Sequence, residues 1–214
     1  MRQSVITRYF LWASIAATGV AAAAARPPAP PFEDISWAAR VASKPTMGLM
    51  LGPASVTLEE TPLADVARVA GGAIAEPGSA GEHAYSLCHT IADGQTIVRL
   101  WLVSDAEMGG PDHKVTEITA QIVDDGPTPD CPALRQSLRP VSFSNGLWIG
   151  IPEALAESKF AVTPAIREPW RAYFYLGKLP GKCGPDGFDV LNWVTWKSSS
   201  GIVDSIVAGQ VTSC

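Results

Sequence analysis

QTIVRLWLVS at Gln95–Ser104 and FDVLNWVTWK at Phe188–Lys197 are the two stretches whose reading decides the fold. Both are rich in β-branched and aromatic residues, the composition of long strands. Each sits in the middle of a pattern that occurs twice. Pro62 has its counterpart at Pro152, Tyr85 at Tyr173, Val115 at Val203, Ile118 at Ile206 and Ala120 at Ala208, at offsets of 90, 88, 88, 88 and 88 residues. Around these anchors one order recurs: an apolar leading stretch, a short helix, an aromatic strand, the long strand and a closing strand. The expectation is an α+β protein of two tandem αβββ units, each an antiparallel three-stranded meander with a short helix on one face.

In the first unit, residues 45–123, Met47–Leu51 and Ser55–Leu58 are leading apolar stretches. Thr61-Pro62 opens a helix, with Thr as the expected cap and Pro tolerated at the first position. Leu63, Val66, Val69 and Ala70 form its apolar face, and Gly71-Gly72 ends it. Tyr85–Thr90, Gln95–Ser104 and Val115–Val123 are the strands. Residues 124–140, rich in Pro and Asp and holding Cys131, read as a linker. The second unit, residues 141–214, repeats the order, with a leading strand at Val141–Ile149, a helix from Pro152 to about Phe160, and strands at Arg171–Leu176, Phe188–Lys197 and Ile202–Val211.

Outward from the repeat, the N-terminus carries an address. Arg2 and Arg8 precede an apolar, Ala-rich run from Tyr9 to Ala25 ending in Ala23-Ala24-Ala25, the three parts of a secretory signal peptide over residues 1–25. Residues 26–44 follow as a Pro-rich tether and a short amphipathic segment. Removing residues 1–25 takes away Arg2 and Arg8 and no acid, leaving 14 basic against 21 acidic residues, a net charge of −7. That balance excludes a nucleic-acid partner, which needs a basic surface to displace phosphate counterions. Periplasmic or secreted protein without stable membrane insertion is the expectation. The four cysteines, Cys88, Cys131, Cys183 and Cys214, then read as two disulfides. Four cysteines allow three connectivities, and the repeat favours one bridge per unit, Cys88–Cys131 and Cys183–Cys214.

The tandem αβββ order, the Pro-initiated helices at Thr61-Pro62 and Ile151-Pro152, the closing patterns VTEITAQ and VDSIVAGQ and the export signal together resemble the β-lactamase-inhibitor-like fold, over about residues 45–214. That superfamily also includes the small lipoprotein of the outer-membrane β-barrel assembly machinery. The resemblance implies a protein that binds another protein. The chain departs from the pattern in having no lipid-attachment Cys and no inhibitory loop matched residue by residue.

Chemistry is sparse in the sequence. His83 and His89 flank one strand at a distance one ion cannot bridge, about 20 Å for six extended residues, and His113 stands in a Gly/Pro/Asp loop, so neither a metal nor another cofactor is expected. Cys88 and His89 are neighbours on a strand and point to opposite faces. No G-x-S-x-G elbow is present, and paired carboxylates fall at turns and element ends. The reading is a non-catalytic protein that binds another protein in the envelope or outside the cell, inhibitor-like or an envelope accessory. The alternative is a small periplasmic hydrolase with an unrecognised site. Aligning Val98, Leu100 and Leu102 with Leu191, Trp193 and Thr195 turns those residues toward the helices. The open face then carries Arg99 and Trp101 in the first unit and Asn192 and Trp196 in the second, joined by Tyr173 and Tyr175 on the aromatic strand. Trp and Arg interleaved with polar residues match the composition of binding hot spots.

Overall fold

Two meanders are joined edge to edge into one sheet. The computed structural model describes residues 27–28, 34–76, 84–94, 96–105, 108–110, 112–180 and 187–213. The Ala-rich lead, His83, Cys183 and Cys214, and with them the signal peptide and the second expected bridge, lie outside the described residues. The strands are β1 (Ala39–Arg40), β2 (Gly48–Leu51), β3 (Ala54–Thr57), β4 (Ala84–Asp93), β5 (Thr96–Asp105), β6 (Glu117–Val123), β7 (Val141–Phe143), β8 (Ala165–Arg167), β9 (Trp170–Leu179), β10 (Phe188–Ser199) and β11 (Ile202–Ser213). Helices α1 (Leu63–Ala70) and α2 (Glu153–Glu157) precede the two meanders. The eight-stranded sheet has the order β1-β9-β10-β11-β6-β5-β4, with β8 also on β9, and β3-β2-β7 forms a separate three-stranded sheet. Strands predominate and the helices are few and short, which is consistent with an α+β or a mainly-β class.

The two closing strands, β6 and β11, pair with each other. Ile118 stands opposite Ala208, Thr119 opposite Val207 and Ala120 opposite Ile206. Residues offset by 88 in the sequence are thus each other's partners' counterparts, centred on Thr119 and Val207. The connections match as well. Val115 N–H donates to Thr61 C=O at 2.9 Å and Leu63 N–H to His113 C=O at 3.0 Å. In the second half Val203 N–H donates to Ile151 C=O at 3.0 Å and Glu153 N–H to Gly201 C=O at 2.8 Å.

One core lies between one face of the large sheet and a layer made of α1, α2 and the small sheet. Val98, Leu100 and Leu102 of β5 and Val194 and Trp196 of β10 meet Leu63, Val66, Leu49, Leu51, Phe143 and Ala156 there. The apolar stripe of α1 is narrower than its spacing predicts, since Leu63, Val66 and Ala70 are buried while Val69 is 41% exposed. The expected Thr61 cap is absent: its hydroxyl instead accepts from Thr57 N–H at 2.9 Å, and no side chain caps α1. Gly71 ends the helix at φ 84°.

Three local expectations change. The leading strand of the second half is only β7, and it pairs with β2 from the first half, so the small sheet draws on both. Residues 161–169 include β8, and β1 pairs parallel with β9. Residues 124–140 are packed structure: Cys131 and Leu134 are buried, and Thr90 N–H donates to Pro132 C=O while Leu134 N–H donates to Thr90 C=O, both at 2.8 Å. The segment therefore wraps the outer edge of β4 on its way to the small sheet.

Candidate functional site

Period-two alternation assigns each strand residue to the core face or the outer face of the large sheet. In β5 the expected phase is correct: Val98, Leu100 and Leu102 face the core and Arg99, Trp101 and Val103 face outward. In β10 it is reversed. Leu100 pairs with Ala120 and Val194 with Ala208, so Val194, not Trp193, holds the place of Leu100. Trp196 likewise answers Leu102, and Asn192 answers Val98. The correct alignment is one residue further along, and a one-residue slip turns every side chain to the other face.

Trp196, Tyr173 and Asn192 are consequently 0% exposed. Phe160 stacks on Tyr173 at 4.0 Å and on Trp196 at 5.9 Å between ring centroids, inside the core. The Tyr173 hydroxyl donates to Val162 C=O at 2.7 Å, and burial pushes its pKa up to about 12. Asn192 is structural: it accepts from Thr46 N–H at 3.3 Å and donates to Gln210 at 3.2 Å. Tyr175 is half-buried on the same side, its hydroxyl lying where a side chain on Gly177 would stand.

Arg99 and Trp101 do face outward, yet they are covered. The Cys88–Cys131 disulfide is formed, and both sulfurs' residues pack with Trp101 and Val103 in a second, small cluster. Arg99 reaches Asp125 at 2.6 Å and lies 5.9 Å over the Trp101 ring. That hydrogen bond holds the Asp125 carboxyl below its ordinary range. The segment 124–131 therefore occupies the surface expected to take a partner.

The second half of the outer face is different. One cross-sheet row runs Arg40, Phe174, Trp193, Gly209, Glu117, Val103 and Ser86. Trp193 lies across Gly209, where an added Cβ would meet the indole at 2.3 Å, so glycine is what lets the ring lie flat on the sheet. Trp193, Phe174 and Leu191 are half-buried and Leu176 is 43% exposed. The Trp193 indole N–H meets no acceptor among the described residues. Beside Gly209, burial pushes the Glu117 carboxyl up to about 7, with Asp105 adding to the rise and a long hydrogen bond from Thr119 opposing it. Trp193 was assigned to the core from sequence. The mixed character of both parities in β10, Asn192 with Trp196 on one and Leu191 with Trp193 on the other, left its phase open to that error.

A cleft of about 390 Å³ opens near the C-terminal end of β11, lined by Leu58, Glu59, Glu60, Met108, Gly109, Gly110, Asp112, Lys114, Lys44, Leu179, Gln210 and Thr212. Its wall is a polar chain. Gln210 Nε2 donates to Glu59 at 2.7 Å, Thr212 N–H donates at 2.6 Å, and the Thr212 hydroxyl donates as well. Glu59 holds φ 59°, a left-handed conformation that costs a non-glycine residue roughly 1–3 kcal/mol. Among the described residues no group of three or more His, Cys, Asp or Glu could hold a metal ion, and no helix is long and apolar enough to cross a membrane.

No family model, curated protein or solved structure matches the chain.

Proposed function

We propose that this is an exported, non-catalytic binding protein of two tandem αβββ units that holds another protein in the cell envelope or outside the cell. Its contact surface is the second half of the outer sheet face: Trp193, Phe174, Leu191 and Leu176. The observation that carries this reading is Trp193, a half-buried indole laid flat over Gly209 on the outer face, with half-buried and exposed apolar neighbours. Large aromatic rings are typical anchors of protein interfaces. The tandem reading draws support from the centred β6–β11 register and the matched connections at Val115 and Val203. The formed Cys88–Cys131 bridge fits an oxidising compartment.

The adjoining edge supports an extended form for the partner. β1 adds to β9 in parallel at Tyr173 and Phe174, and among the described residues no strand pairs beyond it, from Tyr175 to Leu179. An extended segment of the partner laid there would bond to main chain and place alternate side chains against Trp193 and Phe174. The test is capture from envelope extract by the mature protein and its Trp193→Ala, Phe174→Ala and Trp101→Ala variants. Capture should fall by about 2 kcal/mol or more with the first two and stay unchanged with the third. Capture that is indifferent to Trp193, or that depends on Trp101 alone, sinks the proposal.

A hydrolase reading gains one observation, the Glu117 carboxyl that burial, with Asp105 adding to it, pushes up to about 7. Turnover of any ester, amide or glycoside that vanishes in Glu117→Gln would favour it over the binding reading.

A further inference from the structure

His89 is a titratable group in the core with no part in the contact surface. It stands opposite Leu100 on the inner face of β4, is 0% exposed, and neither ring nitrogen completes a hydrogen bond with a described residue. Two other pieces of chain close over it. One is the end of α1, where a Cβ on Gly72 would stand 3.3 Å from the ring's Cε1 and 3.6 Å from its Nε2. Gly72 is itself exposed, so a single glycine separates the ring from water there. The other is the segment that wraps the edge of β4, whose Pro132 C=O lies near the ring. Hydrogen bonds beside His89 hold that segment. Thr90 N–H donates to Pro132 C=O and Leu134 N–H to Thr90 C=O, both at 2.8 Å, and Arg135 Nη1 donates to Val69 C=O at 2.9 Å.

We propose that His89 is an acid-operated latch. Its protonation releases Pro132–Arg135 from the edge of β4 and the end of α1, while the Cys88–Cys131 bridge keeps the start of the segment attached. A neutral ring suits an apolar site, whereas an imidazolium needs water or an anion. The charged groups on the surrounding elements offer no anion. Asp65 of α1 pairs with Arg68 at the surface, and Glu76, Asp93 and Asp130 are exposed. Arg99 of β5 is turned to the other face and held by Asp125, and Arg139 donates to Ala92 C=O. Arg135 repels a proton on the ring, adding to the effect of burial. The charged ring must therefore reach water, and the wrapping segment is the part that yields. Of its four residues only Leu134 is buried, whereas β4 is paired with β5 along its whole length and α1 is seated by Leu63, Val66 and Ala70.

The experiment is amide hydrogen exchange of the mature protein, read by NMR from about pH 5 to 7.5 and corrected for intrinsic exchange rates. Protection at Thr90 and Leu134 should fall by about tenfold per pH unit below 6.5, because each opening takes up one proton. The amides of β10 and β11 should keep theirs, since the opening is local. His89→Leu should hold Thr90 and Leu134 protected across the whole range. Protection at these two amides that ignores pH, or that falls in step with β10 and β11, overturns the latch, and the parent protein alone reveals either. A fall that persists in His89→Leu overturns it as well.

Discussion

The two halves of the large sheet use the same strand order and finish their faces in opposite ways. In the first half, the outer face is closed by segment 124–131 and the Cys88–Cys131 bridge, which press on Trp101 and hold Arg99 through Asp125. In the second, Trp193, Phe174, Leu191 and Leu176 are left partly open. The inner faces differ too. His89 pairs with Leu100 where Tyr173 pairs with Val194, so the two residues hold corresponding places in the core. Tyr173 joins an aromatic stack and finds an acceptor for its hydroxyl, whereas neither ring nitrogen of the fully buried His89 meets a partner. A shared frame therefore does not imply shared surfaces. What covers a face comes from the connections, and those differ in length between the halves.

The largest effect should separate the two tryptophans of β10. Trp196→Ala empties the centre of the aromatic stack and should cost about 3–5 kcal/mol, while Trp193→Ala on the outer face should cost about 1 kcal/mol. Denaturant unfolding of the two variants checks this, and equal losses would erase the distinction between inner and outer face. Next in size is the staple. Replacing Cys88 and Cys131 with Ala should lower stability by about 2–4 kcal/mol and shift Trp101 emission to the red as the linker lifts. Unchanged fluorescence would mean that the linker stays seated without the bridge.

Two titrating groups sharpen the comparison through pH. Glu117 keeps its proton in the folded protein up to about pH 7, against an ordinary 4.5, so its contribution is fully present below 4.5 and is lost as pH rises to 7. Glu117→Gln, which mimics the protonated acid, should therefore gain up to about 3 kcal/mol over the parent above pH 7 and nothing below 4.5. His89 works at the acid side and less strongly. Burial lowers its pKa below 6.5, outweighing the Pro132 and Gly71 carbonyls that lie near the ring and favour the charged form, while Arg135 adds to the lowering. Its neutral form is the folded one, so stability should fall as pH drops below 6.5, where the unfolded chain takes up the proton first. In His89→Leu that acid limb should flatten. Melting temperatures from pH 4 to 8 for the parent and both variants test the pair, and parallel curves would show that neither group titrates as its surroundings require.

Much of the local structure was legible in the sequence because it depends on short-range rules. Val, Ile, Leu and Trp at Thr96–Asp105 and Phe188–Ser199 make strands wherever they are placed, and Pro62 and Gly71 bound α1. The pairing Cys88–Cys131 followed from the repeat and is observed. The candidate surface was not legible in the same way. Arg99 and Trp101 were turned correctly outward, but their cover comes from residues beyond the unit. Trp196, Tyr173 and Asn192 were placed outward and lie inside, because alternation fixes only that neighbours oppose one another and leaves the phase to be chosen.

By itself, then, the sequence determined the predominance of strands with a few short helices, the order of helix and meander in each half and the existence of two-faced strands, all of which follow from propensity, period and turn chemistry. Only the tertiary structure decided which face of β10 is buried, since either parity carries a tryptophan and packing against Phe160 selects Trp196. It alone joined β6 to β11 and brought Lys44, Glu59, Lys114 and Thr212 to one cleft. Those contacts depend on where long connections return the chain, and no local pattern encodes that.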